Sequence, residues 1–551
     1  MKHESQTGKA LLTIILSAAM ALLYACNSDN SDISKPLAGA DLLPQVDEAK
    51  RVYVSDTLIT NLEATVPPQC YTKTEAVHNP CYVCHQNYDN RSVNYRMNQL
   101  DDGGIQGEYM FSDIGVTNHW SNLFQNRQGW VDAISDETIL RYINEDNYSE
   151  LPAKLERNNW AGFVPDLENY HLAADAFDEK GLALDGSGWV AFNYKPLPST
   201  FWPTNGSTDD VVIRLPEHFR TLGGVYNESV YLTNLSLLEL NIKSLDSIQV
   251  FPVSENTLAQ DLDGDQQFSD GITHIRQRSH YVGDASGVAL LAQQFPLGTQ
   301  IMHSVRYVGV SEAGHITVPA RMKELRYMEK IRELSNDELS SRYDRERKEK
   351  LQEELPGFVD HDDRGFSNGM GWLVQGFIED YEGELRPQTF EETLFCMGCH
   401  SAIGTTIDQT FSFARKITGP SGWGYINLRG MRDAPSVTQI EGEILQYLKM
   451  SGGGNEFRQN EEMRAKWFYP DGSVKTSQIK SADVYDLITP SAERALQLNK
   501  AYTHIVRHQS YINGRDAVIT PPENVLKEID ESVAPLAAEN RLLNWDIRLN
   551  W

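Results

Sequence analysis

Two pentapeptides limit this chain more than any other feature. They are Cys81-Tyr82-Val83-Cys84-His85 and Cys396-Met397-Gly398-Cys399-His400, the same C-x-x-C-H pattern about 300 residues apart. They hold four of the six cysteines, and the other two are Cys26 and Cys70. Six is far too few for a disulfide scaffold in 551 residues. A zinc site using both pairs would usually keep them roughly 12 to 20 residues apart and would leave the two histidines unexplained. A thioredoxin-like redox pair needs a βαβ setting, which neither surrounding sequence offers. Covalent haem attachment fits better. Two thiols one helical turn apart can each add to a vinyl group of one porphyrin, and the imidazole beside the second thiol then faces the iron. The sequence therefore predicts two covalently bound haem c groups, attached at Cys81, Cys84, Cys396 and Cys399, with His85 and His400 as proximal iron ligands.

The N-terminus sets the compartment. Lys2 and Lys9 precede the apolar run Ala10 to Leu23, which is shorter than the roughly 20 residues needed to cross a bilayer. Small residues then precede a cysteine, in Leu23-Tyr24-Ala25-Cys26. This tetrapeptide resembles the lipobox of bacterial lipoproteins. The resemblance implies removal of residues 1–25, a diacylglyceryl thioether on Cys26 and a multiply acylated N-terminus that anchors stably in a membrane. Asn27 in place of Asp implies, by likeness to Gram-negative sorting rules, the outer membrane. Residues 26–44 read as a polar tether, and the chain beyond it lies on the periplasmic side. By its two pentapeptides and export signal the chain also resembles dihaem c-type cytochromes, which implies a cofactor class and no substrate. The formal charge of −28, from 49 basic and 77 acidic residues, repels phosphate backbones and excludes nucleic acid as a natural partner.

The expected fold class is multidomain α+β, with mostly helical haem-binding segments at both ends of a β-rich middle module. The first segment, 45–165, contains a helical stretch from Asp136 to Ile143. The module spans 185–320, with short β-branched or aromatic runs at Val211 to Leu215, Ser229 to Thr233, Ser247 to Val253 and His303 to Val310. A charged helix is expected over 321–353. The second haem domain, 355–551, has helical runs at Gln439 to Lys449 and Ala492 to His508, where apolar residues recur every three or four positions.

The sixth iron ligand decides whether a haem binds small molecules or only passes electrons. For the first haem the candidates are His119, Met97 and Met110; for the second, Met370, Met431, Met450, His504 and His508, with His303 as an outsider from the middle module. His119 and His504 are the preferred pair. Cys70 is left over, and is packed and inert, paired between chains, or a thiolate haem ligand, the last by resemblance to dihaem enzymes of sulfur-compound oxidation such as thiosulfate dehydrogenases. Asp261, Asp263, Asp265 and Asp270 surround Gly264 and could wrap one Ca2+ as a structural loop, although Ile272 stands where an EF-hand carries its glutamate. Three functions are consistent with these features: a dihaem oxidoreductase with one catalytic and one relay haem, an electron-transfer lipoprotein serving a redox partner protein, or a haem-based sensor or binding module.

Overall fold

The structure, a computed structural model, describes residues 38–55, 58–74, 77–78, 114–198, 202–352, 354, 357–400, 406–450, 460–530, 532–534, 536–542 and 545–551. The first pentapeptide with His85, Cys26, Met97 and Met110 lie outside the described residues. Within them the fold is mixed α/β, with a large antiparallel sheet in the middle and helices toward both ends. The sheet has eight strands. Val190–Ala191, Thr208–Arg214, Gln300–Arg306, Met322–Lys330, Trp372–Glu379, Phe366–Ser367 and Val359–Asp360 lie side by side across it in that order, and Leu385–Pro387 also pairs with Trp372–Glu379.

Register sorts the side chains into two layers. Val211, His303, Arg326 and Gly376 stand directly opposite one another, so they share a face, whereas Asp210, Ser304, Leu325 and Phe377 point the other way. On the first face Val211, Ile213, Ile301, Met328 and Val374 belong to the same core as Cys396 and Met397 and the helix Glu228–Ile242. On the second face Val212, Met302, Leu325, Tyr327 and Phe377 pack with Leu151, Leu155, Tyr170 and Trp189. The second pentapeptide is thus held against the sheet.

Three expectations need correction. Met322–Lys330 is a central strand, and the charged helix is confined to Asn336–Leu351. The charges misled, because Lys323, Glu324 and Lys330 are buried and partnered inside the sheet, while Leu325 and Tyr327 alternate with Glu324, Arg326 and Met328 at the period of a strand. Ser229 to Thr233 is no strand but part of the helix Glu228–Ile242, whose first turn is capped by Asn227 Oδ1 accepting from Val230 N at 3.1 Å. Almost every residue of that helix is buried, so its apolar pattern has no exposed side and reads as a β-like run. Finally, the sheet runs past residue 320, since Trp372–Glu379 and Leu385–Pro387 come from the segment expected to be helical. The helices Asp136–Ile143 and Ala492–His508 stand where their periodicity put them, started by Ser135 and Ser491. The run near 439–449 begins at Glu443 and ends at Met450.

Candidate functional site

The second pentapeptide closes the helix Phe390–His400. That helix starts on a reciprocal cap, in which Glu392 N donates to Thr389 Oγ1 (3.3 Å) and Thr389 N donates to Glu392 Oε2 (3.0 Å). The Arg386 guanidinium grips Glu392 with two bonds of 2.8 Å. Glu391 Oε1 accepts from Thr60 N (2.5 Å), Thr60 Oγ1 (2.7 Å) and Asn61 N (2.8 Å), tying the chain around residue 60 to the first turn. One helix length on, that chain reaches Gly398. A Cβ there would lie 2.3 Å from Thr65 O and 2.8 Å from Pro67 Cδ, so glycine inside the pentapeptide admits the Thr65 to Pro67 backbone.

His400 is oriented by a turn on the far side of the motif. Its Nδ1 donates to Gln409 O at 2.8 Å, and its ring meets Phe411 edge-on at 5.5 Å. Gln409 sits in a turn closed by Ile407 and Thr410, with both central residues in the left-handed region (Asp408 φ 49°, Gln409 φ 62°). Asp408 Oδ1 accepts from Lys330 Nζ at 2.5 Å and its Oδ2 from Phe295 N at 2.9 Å, so the sheet itself holds the turn. Asn368 Nδ2 donates to His400 O at 2.9 Å. Burial pushes the His400 imidazole down to about 4, helped by the nearby Arg326 and opposed by the bond to Gln409. A neutral ring whose Nδ1–H is committed to a carbonyl carries its lone pair on Nε2, which is the state of a metal-ligating histidine. Burial likewise pushes the Cys396 thiol up, while Cys399 is half-buried.

The remaining candidates are scattered over the molecule. His303, on the sheet face that carries Arg326, has Nε2 3.5 Å from Asp209 Oδ2. His504 stacks on His508 with ring centroids 4.0 Å apart and meets Trp130 edge-on at 5.0 Å. His119 Nε2 contacts Ile114 O at 3.1 Å. Among the described residues, no hydrogen bond or ring contact joins His504, the preferred ligand for the second haem, or His119, the preferred ligand for the first, to His400. Met370 packs with Leu334 and Leu339, and Met431 and Met450 pack together in a separate apolar cluster. Cys70 lies in the cluster of Leu394, Phe395 and Trp120, beside the second pentapeptide. The residues flanking the first pentapeptide converge on the same region: Thr72 and Lys73 pair with Val525 and Asn524, and Thr117 and Asn118 with Glu528 and Lys527.

The acidic loop gathers a different set from the one expected. Glu255, Asp261 and Asp263 bring one carboxylate oxygen each to within 4.8 Å of one another. Asp265 instead accepts from Gln267 N at 2.7 Å, and Asp270 bonds Ser254 Oγ. Asp261 also takes Gly264 N (2.7 Å) and Gln266 N (2.9 Å), which shapes the loop around that trio. Glu255, six residues before the acidic run, is the member that spacing could not find. Gln409, Asp408 and Lys330 were missed as well, because Asp-Gln is not a dipeptide that announces a turn with two positive φ angles. The Thr389-x-x-Glu392 cap was legible.

A family model described as "-like lipoprotein" matches residues 54–486. A protein of Aquifex aeolicus described as an "Uncharacterized lipoprotein" is 29% identical over 600 aligned residues, which cover 97% of this chain and 98% of its own. No solved structure matches. These findings overturn the resemblance to dihaem c-type cytochromes, because the match that spans both pentapeptides is to lipoproteins. They agree with the lipobox, and an exported, membrane-anchored protein is the consequence; no described helix is long and apolar enough to cross a membrane. The chain belongs to the lipoprotein family whose model covers residues 54–486.

Proposed function

We propose that this lipoprotein carries haem on thioether bonds at Cys396 and Cys399, and at Cys81 and Cys84, and transfers electrons in the periplasm. Acyl chains on Cys26 would hold it at the outer membrane. The observation that carries this reading is the His400 arrangement: a neutral imidazole, Nδ1–H fixed on Gln409 O, at the end of a helix whose Cys396 and Cys399 precede it by four residues and one. That donor set fits a haem iron, with two sulfurs one turn apart and one oriented nitrogen. The haem would supply a one-electron couple. The chain's own residues supply orientation. Lys330 and Asp408 fix the turn, the turn fixes Gln409 O, and Gln409 O fixes the ring.

A second histidine ligand would close that iron and make the second haem the relay; His303, which strand register places on the motif's side of the sheet, is the candidate for it. In an oxidoreductase with one catalytic and one relay haem, the haem at Cys81 and Cys84 would then be the reactive one. Spectra with and without cyanide or carbon monoxide separate the readings. Binding of an added ligand by one haem supports the oxidoreductase; binding by neither leaves an electron-transfer lipoprotein, whose acidic surface suits a basic redox partner. Glu255, Asp261 and Asp263 are also proposed to hold a structural Ca2+.

A further inference from the structure

The end of the helix Ala492–His508 carries two histidines, His504 and His508, that have no part in the electron-transfer reading. Their spacing of four residues puts both rings on one helix face, where they stack with centroids 4.0 Å apart and planes 25° from parallel. Trp130, from the helix Gln128–Asp132, walls the pair on one side. Its ring meets His504 edge-on at 5.0 Å and His508 at 5.8 Å, and its Nε1 donates to Thr503 Oγ1 at 3.0 Å. His508 Nδ1 donates to His504 O at 2.8 Å, so the lone pair of that ring sits on Nε2. The His504 ring makes no hydrogen bond among the described residues, and its Nδ1 is buried, where a ring nitrogen normally finds a partner. Burial pushes this imidazole down to about 3, helped by the nearby His508 and Arg127, so it is neutral and keeps a lone pair free.

Two imidazoles one helical turn apart, one oriented by a carbonyl and the other held by no hydrogen bond, are the donor set of a chelate for a borderline divalent cation. The last carbonyls of the helix carry partial negative charge, which also favours a cation there. Arg127 opposes it, but its guanidinium is turned to Val518 O (2.8 Å) and Asn122 O (3.0 Å), and the Asp516 carboxylate acts on it. Both histidines are half-buried, so ions in solvent reach them. We propose that His504 and His508 bind a divalent transition cation, Cu2+ most tightly, through His508 Nε2 and one nitrogen of His504. No third histidine, cysteine or carboxylate of the described residues joins the pair, so water fills the remaining positions. The His504 ring splays from the stack to face the ion, and Trp130 shields the pair. This site is independent of the haem reading.

The test titrates Cu2+ into the mature chain and reads the electron paramagnetic resonance signal of the first equivalent. Coupling to two imidazole nitrogens is expected. His504→Gln and His508→Gln should each remove one coupling and weaken binding about tenfold or more. His274→Gln, an exposed histidine on the strand Ile272–Arg276, is the control and should change neither. The proposal is overturned if both helix variants take up the first Cu2+ as the wild type does, if the wild type shows coupling to one nitrogen alone, or if His274→Gln abolishes the signal. A changed haem spectrum in His504→Gln would assign that ring to an iron and overturn it as well. Where one variant does not fold, the nitrogen count in the wild type and the other variant decide.

Discussion

Gly398→Ala sets two opposed effects against each other at the heart of the site. Alanine in a helix is favoured over glycine by about 1 kcal/mol, and less near a helix end. The new methyl group would sit 2.3 Å from Thr65 O, 2.8 Å from Pro67 Cδ and 3.2 Å from Pro67 Cγ. Those neighbours cannot step aside freely. Val66 N donates to Glu63 O (2.8 Å), Cys70 N to Pro67 O (2.9 Å), and Trp120 Nε1 to Val66 O (2.9 Å), while Glu391 holds Thr60 and Asn61. Displacing a segment so fixed costs about 1–3 kcal/mol, and part of its docking surface on Phe395 and Leu394 goes with it. The net expectation is a loss of about 1–2 kcal/mol. Gly129→Ala is the control, since it lies in the helix Gln128–Asp132 and its Cβ would meet nothing within 4 Å. It should gain up to about 1 kcal/mol. Urea unfolding of the protein from residue 27 onward, followed by circular dichroism, gives both values as midpoint shifts at unchanged slope. If Gly398→Ala gains stability as Gly129→Ala does, the chain at 65–67 is not packed on the motif and the reasoning fails.

Glu379 accepts from Tyr142 OH (3.0 Å) and Tyr307 OH (2.6 Å), and burial pushes its carboxyl up to about 7 despite the nearby Arg321. The unfolded chain releases this proton near the ordinary carboxyl value and the folded chain only near 7, so stability falls as pH rises through that window, by up to about 3 kcal/mol. Urea midpoints measured from pH 4.5 to 8 should show this slope, and Glu379→Gln should remove it; an unchanged slope in the variant assigns it to other groups. Glu239 is buried between Lys243 Nζ (2.7 Å) and Lys416 Nζ (2.8 Å), and Glu239→Gln should cost about 3–5 kcal/mol by stranding two buried ammonium groups. A loss below about 1 kcal/mol would show that water reaches the pair. Chelation of calcium should lower the melting temperature of the wild type and leave Asp261→Asn with Asp263→Asn unaffected; an unmoved wild-type curve removes the ion from the account.

Local forces are legible in a sequence, and distant ones are not. The helices Asp136–Ile143 and Ala492–His508 have one apolar face and a serine cap, and both features are written in adjacent residues. Met322–Lys330 was hidden because its charges are neutralised by partners distant in sequence, Lys330 by Asp408 and Glu324 by Arg515. The same distance hid the support of the site. Cys396, Cys399 and His400 announce themselves as one pentapeptide, whereas the carbonyl that orients His400 belongs to a turn held by a lysine 78 residues away from its aspartate. His303 could be named as an outsider from its residue type, but only strand register places it beside Arg326 on the motif's side of the sheet. Glu255 joins Asp261 and Asp263 through the backbone bonds it accepts from Leu262 N (2.6 Å) and Ser269 N (2.9 Å), which no spacing rule contains.

The claim on which function rests is that porphyrin is bonded to the two cysteine pairs. Protein matured in a host with the cytochrome c assembly machinery, run on a denaturing gel and stained for haem peroxidase activity, tests it directly. The expected result is a stained band in the wild type, a weaker band when either Cys81 with Cys84 or Cys396 with Cys399 is changed to Ser, and none when all four are changed. A colourless wild-type band at full expression would contradict the account.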